Sequence, residues 1–104
     1  MKLRESVIDK SIVQNFLVDA VRKFSPYCPG DLSMATPLIR TGIVDSLTIM
    51  EVTKYIESCI NTSLPVAKIN RESFRTLEAL SDMLFDFIKE HNLDLDIDGL
   101  KGMG

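Results

Sequence analysis

Ser46 is the residue of this chain best placed to do chemistry. It stands in the string Gly42-Ile43-Val44-Asp45-Ser46-Leu47, where a proline-spaced loop gives way to an amphipathic stretch. A serine at a helix mouth presents its hydroxyl to solvent among backbone N–H groups that have no intrahelical partner. That end of a helix also favours negative charge, so a phosphodiester on Ser46 is electrostatically at home there. A plain capping serine answers the same description, and position alone does not separate the two readings.

Few other residues offer chemistry. Cys28 and Cys59 stand alone, without metal-type spacing or secretory context, and read as thiols of a reducing cytosol. His91 closes the last periodic stretch, where a cation suits the helix end better than a ligand role. No glycine-rich phosphate loop and no glycine-flanked nucleophile elbow occur, so the chain reads as a non-enzyme. Asp94-Leu95-Asp96-Ile97-Asp98-Gly99 spells the opening of a calcium loop, but the glutamate due at position twelve falls one residue past Gly104. Residues 93–104 are therefore expected to form a flexible acidic tail behind a domain at 1–92, and no metal site is expected.

The composition agrees with a small globular chain. At 104 residues, 45% hydrophobic and 26% charged, it suits one domain with a single modest core. Residues 1–40 carry six basic and four acidic side chains, whereas residues 41–104 carry six and eleven. The second part is thus net −5, which favours basic partner surfaces and disfavours nucleic acid. No apolar run exceeds three residues, so no membrane span or signal-peptide core is expected, and the location reads as cytoplasmic.

The elements that must position Ser46 follow from periodicity. Ile12, Val13, Phe16, Leu17, Ala20, Val21 and Phe24 recur at helical spacing and predict a helix from about Ser6 to Phe24, stopped by Pro26. Pro26, Pro29, Gly30 and Pro37 make residues 25–45 a long loop, with Leu32, Leu38 and Ile43 as its anchors. A second helix is predicted from Ser46 to Ile60, burying Leu47, Met50, Ile56 and Ile60 and broken at Asn61. Asn70 to Phe74 reads as a short helical turn capped by Asn70. Thr76 then caps a last helix reaching about His91 on Leu77, Leu80, Leu84, Phe87 and Ile88. No strictly alternating segment is expected to compete as a strand. The fold class is an all-α bundle of three main helices plus a short one, with a long loop between the first two.

That order of elements, with Asp-Ser-Leu at a helix start behind Gly-Ile-Val, resembles the acyl and peptidyl carrier protein family. The resemblance covers roughly residues 6–90. It includes Leu38 to Ser46 as the approach to the attachment site and Ile69 to Leu77 as the passage from a short third helix into the fourth. It implies that a phosphopantetheinyl transferase attaches 4′-phosphopantetheine from coenzyme A to Ser46, with Asp45 and Leu47 as motif neighbours. Asp45 would orient the transferase complex or simply add charge near the helix start. Acyl or aminoacyl groups would be held on the arm as thioesters. They would be loaded by an acyl- or aminoacyl-activating ligase and passed to a downstream acyltransferase or condensing enzyme. The carrier itself would be a monomer.

Met50, Glu51, Lys54 and Glu57 are the candidates for the partner interface. The alternative is packing for Met50 and a solvated face for the three charged residues. Only Glu51 and Glu57 are acidic on this helix, offset by Lys54, unlike the strongly acidic helix of fatty-acid-synthesis carriers. The resemblance therefore points to a specialised peptide, polyketide, D-alanyl or modified-lipid pathway. A housekeeping fatty-acid carrier and an unmodified helical interaction domain are the alternatives. A cargo pocket inside the bundle would need residues such as Leu47, Ile56, Phe74 and Leu84.

Overall fold

The computed structural model describes residues 2–97. Three fifteen-residue helices dominate it: α1 (Lys10–Phe24), α2 (Ser46–Ile60) and α3 (Leu77–His91). Single 3₁₀ turns lie at Glu5–Val7 and Val66–Lys68, and two short strands, β1 (Lys2–Leu3) and β2 (Leu95–Asp96), close the order. No helix among the described residues is long and apolar enough to cross a membrane.

Helix α1 begins at Asp9 and not at Ser6. The Asp9 carboxylate accepts the Ile12 amide and the Ser11 hydroxyl, both at 2.9 Å, which satisfies the open first turn. Ile8, extended and buried just before it, turns the chain into the core, leaving Glu5–Val7 as a separate 3₁₀ turn. Val13, Phe16, Leu17, Ala20 and Val21 form the buried stripe. Helix α1 packs on both α2 and α3 and is the element they share. Against α2, Tyr55 stacks on Phe16 and meets Phe24 edge-on, each at 5.5 Å between ring centres. Against α3, Lys10 and Asp82 form an ion pair.

Helix α3 matches its expected span. The Thr76 hydroxyl accepts the Ala79 amide at 3.1 Å, and Asn92 ends the helix in the left-handed region at φ 53°. Asn61 ends α2 in the same way at φ 55°. Asn70 does cap a turn, its side-chain oxygen taking the Ser73 amide at 2.8 Å, but residues 70–74 remain a turn. The short helical element lies earlier, at Val66–Lys68.

Two expectations are corrected. The buried face of α2 is Thr48, Val52, Thr53, Ile56, Cys59 and Ile60, while Leu47 and Met50 are 63% and 57% exposed. In this rotation Tyr55 stacks on α1, Ile49 packs against the core, and Leu47 and Met50 face outward. The all-α reading also gives way to a small antiparallel pair with Lys2 opposite Asp96 and Leu3 opposite Leu95. Leu93, Leu95 and Ile97 alternate with Asp94 and Asp96, the period of a half-buried strand. Leu95 is fully buried and its two neighbours pack on the core. The packed domain therefore runs through the expected boundary at 92/93. The remaining residues assigned to the tail, Asp98 among them, lie outside the described residues.

Candidate functional site

The loop before α2 is strapped in place at several points. Leu38, Ile43 and Val44 are buried, and Leu32 packs half-buried against the core; Val44 is an anchor that periodicity did not mark. The Ser25 hydroxyl, at the end of α1, donates to the Ile43 carbonyl at 2.6 Å. The Val44 amide donates to the Leu38 carbonyl at 3.0 Å, and the Leu38 amide to the Arg75 carbonyl at 2.8 Å. These bonds tie the segment entering α2 to the end of α1 and to the approach to α3. Gly42 sits within it at φ +82°, a conformation that side chains with a Cβ rarely adopt.

Asp45 is the capping residue of α2. One carboxylate oxygen accepts both the amide and the hydroxyl of Thr48, each at 2.9 Å. These two donors hold the Asp45 carboxyl below the ordinary carboxylate range, because they favour the charged form. Ser46 is therefore the first residue of the helix and not its cap. Its side chain is exposed, and its hydroxyl takes part in no hydrogen bond among the described residues.

Beside Ser46 lies an open groove lined by Ile39, Gly42, Val44, Asp45, Ser46, Ile49 and Arg71. Arg71, Ile39 and Ile49 are the part of the site that sequence reasoning did not single out. Arg71 comes from the turn at residues 70–74, ahead of α3, and nothing in its own neighbourhood marks it for this place.

Of the expected interface residues, Met50, Glu51 and Lys54 stand with Leu47 and Ser46 on one strip of α2. Met50 follows Ser46 by four residues, Glu51 follows Leu47 by four, and Lys54 follows Met50 by four. Glu57 is drawn away from that strip: its carboxylate accepts the Leu64 amide at 2.7 Å and holds the chain leaving the helix. The four residues expected around a cargo pocket do not share a space, since Ile56, Phe74 and Leu84 are closed in the core and Leu47 is outside. Among the described residues no group of three or more His, Cys, Asp or Glu side chains is placed to hold a metal. No family model matches the chain, and neither a curated protein nor a solved structure does.

A 4′-phosphopantetheine arm fits these residues on three counts. Ser46 is exposed, the capping duty lies with Asp45, and Ser46 borders a groove with apolar walls and one cation, Arg71.

Proposed function

We propose that this chain is a carrier protein modified at Ser46. The observation that carries the reading is the division of labour at the mouth of α2. Asp45 satisfies the helix end, so Ser46 is spared for modification while remaining exposed at the positive pole of the helix. A phosphopantetheinyl transferase brings coenzyme A to Ser46. The Ser46 oxygen attacks the phosphorus bearing the pantetheine, its proton passes to the transferase, and the diphosphate P–O bond breaks to release adenosine 3′,5′-bisphosphate. The attached 4′-phosphopantetheine supplies a thiol on which acyl or aminoacyl groups are held as thioesters.

The protein contributes placement. The bonds from Ser25 to Ile43 and from Val44 to Leu38 fix the approach of the chain. The strip of Leu47, Met50, Glu51 and Lys54 offers partners an apolar centre with charges of both signs beside it. An acyl- or aminoacyl-activating ligase, and an acyltransferase or condensing enzyme, are the partners this role requires. The mixed charge supports a specialised pathway over a housekeeping fatty-acid one, whose partners select a strongly acidic helix.

A second reading, a helical interaction domain without a prosthetic group, draws on exposed Leu47 and Met50. One experiment separates the two. Intact mass is measured after incubation with coenzyme A, Mg²⁺ and a broad-specificity phosphopantetheinyl transferase. A gain of one phosphopantetheine, absent in Ser46→Ala, supports the carrier. A folded protein that gains no mass, even with the transferase of its own source, is the interaction domain.

A further inference from the structure

The groove at Ser46 does not end beside it. Ile39 and Arg71 also line a second depression, which continues over Pro37, Ala35, Arg40, Glu72, Arg75 and Thr76. Near Ser46 the path has the apolar walls of Ile39, Val44 and Ile49 with Arg71 among them, and Arg40 and Arg75 add cations further on.

Its charges are unequal. Two acids line it and both are engaged: Asp45 by the two donors of Thr48, and Glu72 by the Arg75 guanidinium at 3.2 Å. Arg40 and Arg71 form no ion pair among the described residues, and both are exposed. Beyond Arg75 the next depression holds Glu78 and Asp82, so the cationic stretch is bounded on its far side. In a chain of net charge −3 this is a local reversal of sign, directly downstream of the proposed attachment residue.

We propose that this groove receives the carboxylate end of an acyl group carried at Ser46. The preferred cargo is then the acyl group of a dicarboxylic acid, held at the end of an arm that folds back along the groove, with its free carboxylate between Arg71 and Arg40. Guanidinium groups suit a carboxylate because their paired donors match its two oxygens. The phosphodiester at Ser46 is common to every loaded form, so a neutral fatty acyl group of the same length brings the arginines no second anion. The inference deepens the carrier reading and rests on it.

The test first makes the loaded protein and records its mass. The transferase is supplied with adipyl-coenzyme A or with hexanoyl-coenzyme A, which are equal in carbon length and differ in the terminal carboxylate. The side-chain Nε–Hε signals of Arg40 and Arg71 are then followed by NMR. The expected result is a further shift of both signals in the adipyl form over the hexanoyl form, which carries the same phosphodiester. That shift collapses at about 1 M salt, where the screening length is about 3 Å. In Arg71→Gln the remaining Arg40 shift shrinks, while the backbone spectrum reports an intact fold. Equal arginine spectra in the two loaded forms, or a shift indifferent to salt, overturn the inference and leave the carrier reading standing. No mass gain at all removes the arm, overturning both.

Discussion

The Asp45 carboxylate receives the Thr48 amide and the Thr48 hydroxyl at 2.9 Å, so the helix that carries Ser46 is closed by its neighbour. Ser46→Ala should therefore cost less than about 0.5 kcal/mol, as surface substitutions outside caps do. It should still remove all modification by the transferase. Asp45→Ala should lower the melting temperature more than Ser46→Ala, and Asp45→Asn, which keeps a capping oxygen, should restore most of the loss. Thermal melts of the three variants check the order, and a larger loss in Ser46→Ala would return the cap to Ser46.

Two caps titrate in acid. Asp9 and Asp45 both have carboxyls held below their ordinary value, chiefly by the backbone amides of Ile12 and Thr48. A carboxyl depressed in the folded state contributes stability that is complete above its unfolded value of about 3.9 and fades as pH falls toward the folded value. The acid limb of stability should thus steepen below about pH 4. It should flatten in the double variant Asp9→Asn, Asp45→Asn, as urea midpoints between pH 2 and 6 will show.

Leu95 belongs to the core. Leu95→Ala should destabilise by about 2–5 kcal/mol, the range for a fully buried leucine, and should loosen the pairing with Leu3. Denaturant unfolding measures it. A change below about 0.5 kcal/mol would mean that the segment is not packed.

Leu47 and Met50 lie outside the core. Leu47→Ala and Met50→Ala should each leave stability within about 0.5 kcal/mol of the parent. Both should slow modification or loading, because the apolar centre of the strip is lost. The measurement is kcat/KM of the transferase beside a thermal melt; a large drop in melting temperature with unchanged kinetics would put these side chains back inside.

The Thr53 hydroxyl is buried on α2 and has no hydrogen-bond partner among the described residues. Thr53→Val replaces it by a methyl of similar size and should stabilise the fold by about 1 kcal/mol. A loss of stability in the variant would point to a partner for that hydroxyl.

Much of this fold is legible along the chain. The stripe of α1, the cap at Thr76, the breaker at Asn61 and the anchors Leu38 and Ile43 are local features, each decided by neighbours a few residues away. The Leu-Asp alternation after Asn92 is equally local, but the same residues spell the opening of a calcium loop, so the aspartates and the leucines carry competing signals. The inward face of α2 is another matter. Leu47 and Met50 share one side of the first turn and Ile49 lies on another, so periodicity leaves the rotation open, and the burial of Thr48 and Thr53 is invisible to it.

The sequence by itself determined the spans of α2 and α3, the end of α1, and that Ser46 stands at the mouth of the second helix. Hydrogen-bonding ends and apolar spacing are properties of short stretches. Only the tertiary structure decided that Leu47 and Met50 face outward and that Arg71 comes to the groove beside Ser46. Each depends on how α2 is rotated against α1 and on the loop strapped between them. Such packing sums contacts between residues far apart in the chain, and no short window of sequence contains them.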